Sequence, residues 1–227
     1  MILDGLSFTL VIMTKDRLDQ FTLDIEFLLI SIVQGVALAA LGSEAVKIIA
    51  TGQWQYFPYC IAGFLFILIF WSGAIIHALS FIDWPLDLKH NFFYFLASLI
   101  EVIAFGFMDD PIRWFAAIFF FFLTAEILYI IDYKLILDRK HIFESKAQVI
   151  LYKDIISEQR FELFFIVPAG IIFNVIAFIL IYFNPQLFIT NNYQIGLSLL
   201  QILFSLGFLM IVLKSFKKRA KLISEAG

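Results

Sequence analysis

The chain has 227 residues, of which 62% are hydrophobic and 29 are Phe, and its 16 basic and 19 acidic residues leave a net charge of −3. An apolar share so far above the roughly 45–50% of soluble domains excludes an ordinary soluble fold, and so small a net charge offers no footing for a nucleic-acid partner. The one cysteine, Cys60, excludes an internal disulfide and any multi-cysteine metal centre, and reads as a small buried apolar residue.

A membrane-crossing helix takes ~20 mostly apolar residues. In chain order, 1–24 is an N-terminal interfacial or cytoplasmic segment, whose apolar run 2–13 is too short to cross and lacks the basic start of a signal peptide. Crossings are predicted at about 25–47, 57–82, 91–109 and 112–136 within the block 25–137. Asp110 and Pro111 supply an N-cap and a first-turn proline for the fourth. Residues 138–160 form a connection in which Ile142, Phe143, Ala147, Ile150, Leu151 and Ile155 make an apolar stripe. It is predicted to be an amphipathic helix on the membrane surface or an extension of the flanking helices. The block 161–213 holds two more crossings, 161–183 and 193–213, separated by Asn184-Pro185, and 214–227 is a basic tail. Pro168 with Gly170 predicts a break in the fifth crossing.

The expected class is therefore an all-α polytopic membrane protein with six transmembrane helices. Basic residues fix its orientation. Lys15, Arg17, Lys89, the six Lys and Arg between 134 and 160, and the five between 214 and 221 fall on one side. The other side has Lys47 and Arg113. The positive-inside rule puts both termini in the cytoplasm, in a membrane expected to be the bacterial cytoplasmic membrane.

Glu101 and Glu126 lie inside predicted crossings where an acidic residue costs roughly 2.5–3.5 kcal/mol on insertion scales. At ~1.5 Å per residue they sit about 16 Å and about 15 Å from the cytoplasmic edge, on consecutive helices. Ser31, Gln34 and His77 fall at about 9–14 Å. Helical spacing puts Tyr94, Ala97, Ser98, Glu101 and Ala104 on one face, and Glu126 with Tyr129 and Tyr133 on another. Asn174 and Gln201 form a second polar group about 21 Å in, and Gln201 belongs to a stripe with Gln194, Ser198 and Ser205. With no Lys or Arg in the predicted interior, each glutamate must be protonated, paired with His77, or compensated by a bound cation. A purely structural role as interhelical hydrogen-bond donors is the alternative. Ser31, Gly35, Ala39 and Ser43 recur every four residues, a small-residue stripe suited to close helix contact within or between subunits.

Arg17-Leu18-Asp19-Gln20-Phe21-Thr22 resembles the Arg…Phe-Ser-Asp entry of the small six-helix endolysosomal and bacterial potassium-channel family. Thr22-Leu23 replaces Ser-Asp, with Asp24 displaced, and Trp71 and His77 stand six apart where that family has Trp-x-x-His. No function is carried over from it.

The chain has no phosphate-binding glycine loop, HExxH, GxSxG, potassium-filter or Arg-repeat motif, and no cofactor is expected. A metal site cannot be assigned from the residues. The leading expectation is a channel or carrier for cations, protons or a small solute coupled to them, with Glu101, Glu126, His77 and Gln34 on the pathway. A pore would call for a homo-oligomer, whereas a carrier could act alone. One alternative is a membrane-embedded assembly or sensory subunit that binds a protein partner through 138–160. An intramembrane lipid-modifying enzyme comes last, since no nucleophile or metal site is evident. Membrane lipids are the other expected partners.

Overall fold

The computed structural model describes residues 15–80, 88–138, 140–142 and 145–226. The apolar run 2–13 and Phe143 lie outside them. The described residues form seven longer helices and no strand: α1 (Lys15–Ala50), α2 (Phe57–Ser80), α3 (Leu88–Phe105), α4 (Pro111–Asp138), α5 (Lys146–Phe161), α6 (Val167–Phe183) and α7 (Gln194–Ala226). Short 3₁₀ turns occupy Trp54–Tyr56 and Lys140–Ile142, and single π turns Glu162–Ile166 and Gln186–Thr190.

Five helical stretches are long and apolar enough to cross a membrane: Asp24–Ala50, Trp54–His77, Pro111–Asp138, Gln148–Phe183 and Gln194–Lys221. Their outer surface carries large apolar side chains in the open, among them Val46, Phe164, Phe183 and Leu203. A contiguous surface of that kind needs lipid around it. The predicted crossing 91–109 is absent from this set. Lys89, His90 and Asn91 make the first turn of α3 polar, and the turn after Phe105 ends it at 18 residues. Packing holds α3 in place, between α1 and α4.

Local chemistry sets the helix ends. The Arg113 amide donates to Asp110 Oδ1 at 3.1 Å, and Pro111 opens α4, where its missing N–H costs nothing. Ser145 and Gln148 close a capping box on α5. The 138–160 connection thus becomes mainly α5, which runs through the π turn into α6 as an extension of the fifth helix. Pro168 has no N–H, and its ring crowds the carbonyl four residues back, at Phe164. The preceding turn widens accordingly, with the Val167 amide donating to the carbonyl of Glu162.

At one end of the bundle Lys47 Nζ reaches Glu44 at 3.2 Å and Asp109 at 3.4 Å, tying the end of α1 to the α3–α4 turn. Next to this end the core is aromatic, with Trp114 stacked near Phe105 and edge-on to Tyr59. Near it a polar chain crosses three helices. Trp114 Nε1 donates to Gln201 Oε1 at 2.9 Å, Gln201 Nε2 to Asn174 Oδ1 at 2.8 Å, and Asn174 Nδ2 to the Gly170 carbonyl at 2.8 Å. Gln194, Ser198 and Ser205 lie buried on the same face of α7. The small-residue stripe of α1, by contrast, is exposed along its length.

Candidate functional site

At the opposite end, where α1 begins and α4 and α7 end, a cavity of ≈ 80 Å³ opens between α1, α2, α3, α4 and α7. That is room for several water-sized molecules. Its inner part is aromatic and aliphatic, lined by Phe66, Phe70, Phe121, Phe122, Val167 and Phe204. Its outer part carries Glu26, His77, His90, Asn91, Tyr129 and Asp132. Beyond the inner part lies the packed Tyr59, Phe105, Trp114 and Phe115 core. The cavity is therefore blind within one chain.

The polar wall is held across helices. His90 Nδ1 lies 2.6 Å from Asp132 Oδ1, joining α3 to α4. Asn91 Nδ2 donates to Glu26 Oε1 at 3.3 Å, joining α3 to α1. His77 stands within electrostatic reach of Asp132, His90 and Arg219. On the side wall the Phe70 and Tyr94 rings stack at 4.9 Å.

Behind Tyr129 lies a second charged layer. The Tyr129 hydroxyl and the buried Glu162 carboxyl lie close enough to interact. Gln159 Nε2 donates to the Tyr129 carbonyl at 3.2 Å. Arg219, only 4% exposed, donates to Glu158 Oε2 at 2.6 Å, and the Ser215 hydroxyl donates to the same oxygen. Lys218 pairs with Asp154. The predicted interior had no Lys or Arg, because Arg219 was assigned to the tail after 213. Here α7 continues through that stretch and α5 packs beside it, so protein rather than water or lipid surrounds the guanidinium.

Of the predicted pathway residues, His77 lines the cavity and Glu101, Glu126 and Gln34 do not. Glu101 is 0% exposed, and neither carboxyl oxygen has a hydrogen-bond partner among the described residues. Its helix face is the predicted one, with Tyr94, Ala97, Ser98 and Ala104 all buried. Glu126 is half-buried, and its Oε2 lacks a partner. No hydrogen bond or charge interaction connects the two glutamates. Gln34 Nε2 reaches Tyr94 Oη at 3.4 Å and Ser98 Oγ at 3.5 Å, while its own Oε1 has no partner among the described residues. Tyr94 thus links the Gln34 seam to the cavity. Asn174 and Gln201 do meet, in a chain whose main donors and acceptors are matched.

Sequence reasoning passed over Glu26, His90, Asp132, Glu158 and Glu162. Three of these carried a usable signal: Asp132 lies within a predicted crossing, and Glu158 and Glu162 stand four apart on one helix face. No protein-family model, curated protein or solved structure matches the chain.

Proposed function

We propose that the chain is a six-crossing carrier in a cytoplasmic membrane, with both termini in the cytoplasm, that moves a small lipophilic cation in exchange for protons. One observation carries this reading: a blind cavity with an aromatic body and an acidic, histidine-bearing rim. Among the described buried side chains at this end of the bundle, the carboxyl groups of Glu26, Asp132 and Glu162 outnumber the permanent cation, Arg219. The surplus of carboxyl groups favours a positive guest, and the stacked Phe70 and Tyr94 add attraction through their ring faces. The hydrocarbon part of the guest would lie against Phe66, Phe121, Phe122 and Phe204.

Histidines and carboxyl groups sharing one rim are suited to exchanging protons for such a guest. A carrier fits better than a channel, because aromatic packing fills the half of the bundle beyond the cavity. In support of α3 as a sixth crossing, its flanks pack on α1 and α4, and its turn into α4 ends level with the end of α1.

The test is binding and flux of tetramethylammonium by the purified full chain in proteoliposomes. Saturable uptake driven by an outward proton gradient, weakened in Glu26→Gln and in Asp132→Asn, is the expected result. Binding that is unchanged in both folded variants would overturn the assignment.

A further inference from the structure

The two sides of α5 carry opposite charge. Asp154 and Glu158 face α7, where Lys218 pairs with the first and Arg219 and Ser215 with the second. Lys153 and Arg160 instead line a shallow groove on the outer side, together with Ser157, Phe161, Phe164 and Phe165. The acids of this helix are thus matched within the bundle, and the groove is left basic. Below its basic part the three Phe side chains stand 43%, 62% and 65% exposed.

Helix length gives the depth of the groove. The stretch Gln148–Phe183 has 36 residues, or about 54 Å of helix, against a hydrocarbon core of about 30 Å. Counted back from Phe183, where Asn184-Pro185 ends α6, about 20 residues fill that core and put its edge near Phe164. Arg160 then sits about 6 Å further out, at the level of lipid phosphates, and Lys153 about 16 Å out at the aqueous rim.

Arg160 is also held in place. Its Nε donates to the Tyr133 hydroxyl at 2.7 Å, and its guanidinium carbon lies 5.7 Å from the centre of the same ring. A guanidinium anchored through Nε keeps its terminal N–H groups for a phosphate, whose geometry they match.

We propose that this groove binds an anionic phospholipid, its phosphate on Arg160, its headgroup near Lys153 and Ser157, and an acyl chain along Phe161, Phe164 and Phe165. The proposal does not depend on what occupies the cavity. It is tested on the full chain in membranes of phosphatidylcholine, alone or mixed with phosphatidylglycerol, by the midpoint of thermal unfolding. Phosphatidylglycerol should raise the wild-type midpoint. The double variant Lys153→Gln/Arg160→Gln should lose more than half of that rise.

Lys140→Gln/Lys217→Gln removes the same charge at other exposed positions and should keep the rise. Equal loss in both double variants, or no loss in either, overturns the proposal. So does an equal rise from soluble glycerol phosphate added to phosphatidylcholine membranes. Should the first double variant not fold, Lys153→Gln alone serves, since no hydrogen bond or ion pair holds Lys153 among the described residues. In native mass spectrometry its retention of phosphatidylglycerol should fall about fivefold, the weight of one basic residue near an anionic surface. Unchanged retention overturns the proposal.

Discussion

His90 on α3 and Asp132 on α4 meet at 2.6 Å in the rim of the cavity, where both are largely shielded from solvent. In the proposed complex Asp132 also faces the cationic guest, and removing one member of a buried charge pair across an interface costs about 2–5 kcal/mol. Asp132→Asn should therefore weaken tetramethylammonium binding by roughly 30-fold or more. Glu26→Gln, whose partner is the neutral Asn91, should cost less. Titration calorimetry on both variants checks the order.

Protons and a cationic guest compete for the same carboxyl groups. The affinity for tetramethylammonium should therefore fall as the proton concentration is raised and recover as it is lowered. Binding should also release protons into a weakly buffered solution. A pH-indicator dye measures the release directly. Affinity that is flat across the range would show that the rim carboxyl groups take no part.

Gly170 lets α6 lie directly against the Phe122 ring of α4. A Cβ there would meet the Phe122 ring at 2.6–2.9 Å. Gly170→Ala should lower stability by about 1–3 kcal/mol, the usual range for overpacking. Phe122 also lines the cavity, so binding should weaken in the same variant. Adding Phe122→Leu should restore much of the stability, as read from thermal unfolding in detergent.

The Trp114–Gln201–Asn174 chain predicts a different pattern. Gln201→Leu leaves the Trp114 indole N–H and the Asn174 carbonyl oxygen without these partners, at a cost of about 1–3 kcal/mol. Binding in the cavity should stay unchanged. Adding Asn174→Leu should cost less than the sum of the single changes, because both act on one network. A double-mutant cycle on unfolding midpoints tests this.

Glu101 makes no hydrogen bond with any described residue. Glu101→Leu should therefore stabilise the fold, by about 1 kcal/mol or more, since a buried polar group without a partner is costly. Tetramethylammonium affinity should not change. A loss of proton-driven uptake in this more stable variant would place Glu101 on the proton route.

Much of the helical layout could be read from the sequence, because it depends on local rules. The Asp110 cap, the break around Pro168, the buried face of α3 from Tyr94 to Ala104 and the polar stripe of α7 all follow from spacing and backbone chemistry. The rim of the cavity depends on how helices rotate against each other, which no local pattern specifies. His90 and Asp132 are 42 residues apart in sequence. Arg219 was hidden for another reason. The apolar run ends near 213, but Lys, Arg and Ala are good helix formers, so α7 continues and carries the guanidinium in beside Glu158. The small residues of α1 warn in the opposite direction: close-packing chemistry was present, yet that face found no neighbour among the described residues.

The π turn at Glu162–Ile166 has a consequence for how this protein could be altered. One extra residue in a helical turn slips the phase of everything after it by about 100°. Upstream of the slip α5 faces α7; downstream of it α6 faces α4. A single-residue deletion there would force both halves onto one azimuth, so that either the Glu158 pairing or the Gly170 contact would have to turn away. The turn works as a universal joint, letting one continuous rod serve two different neighbours.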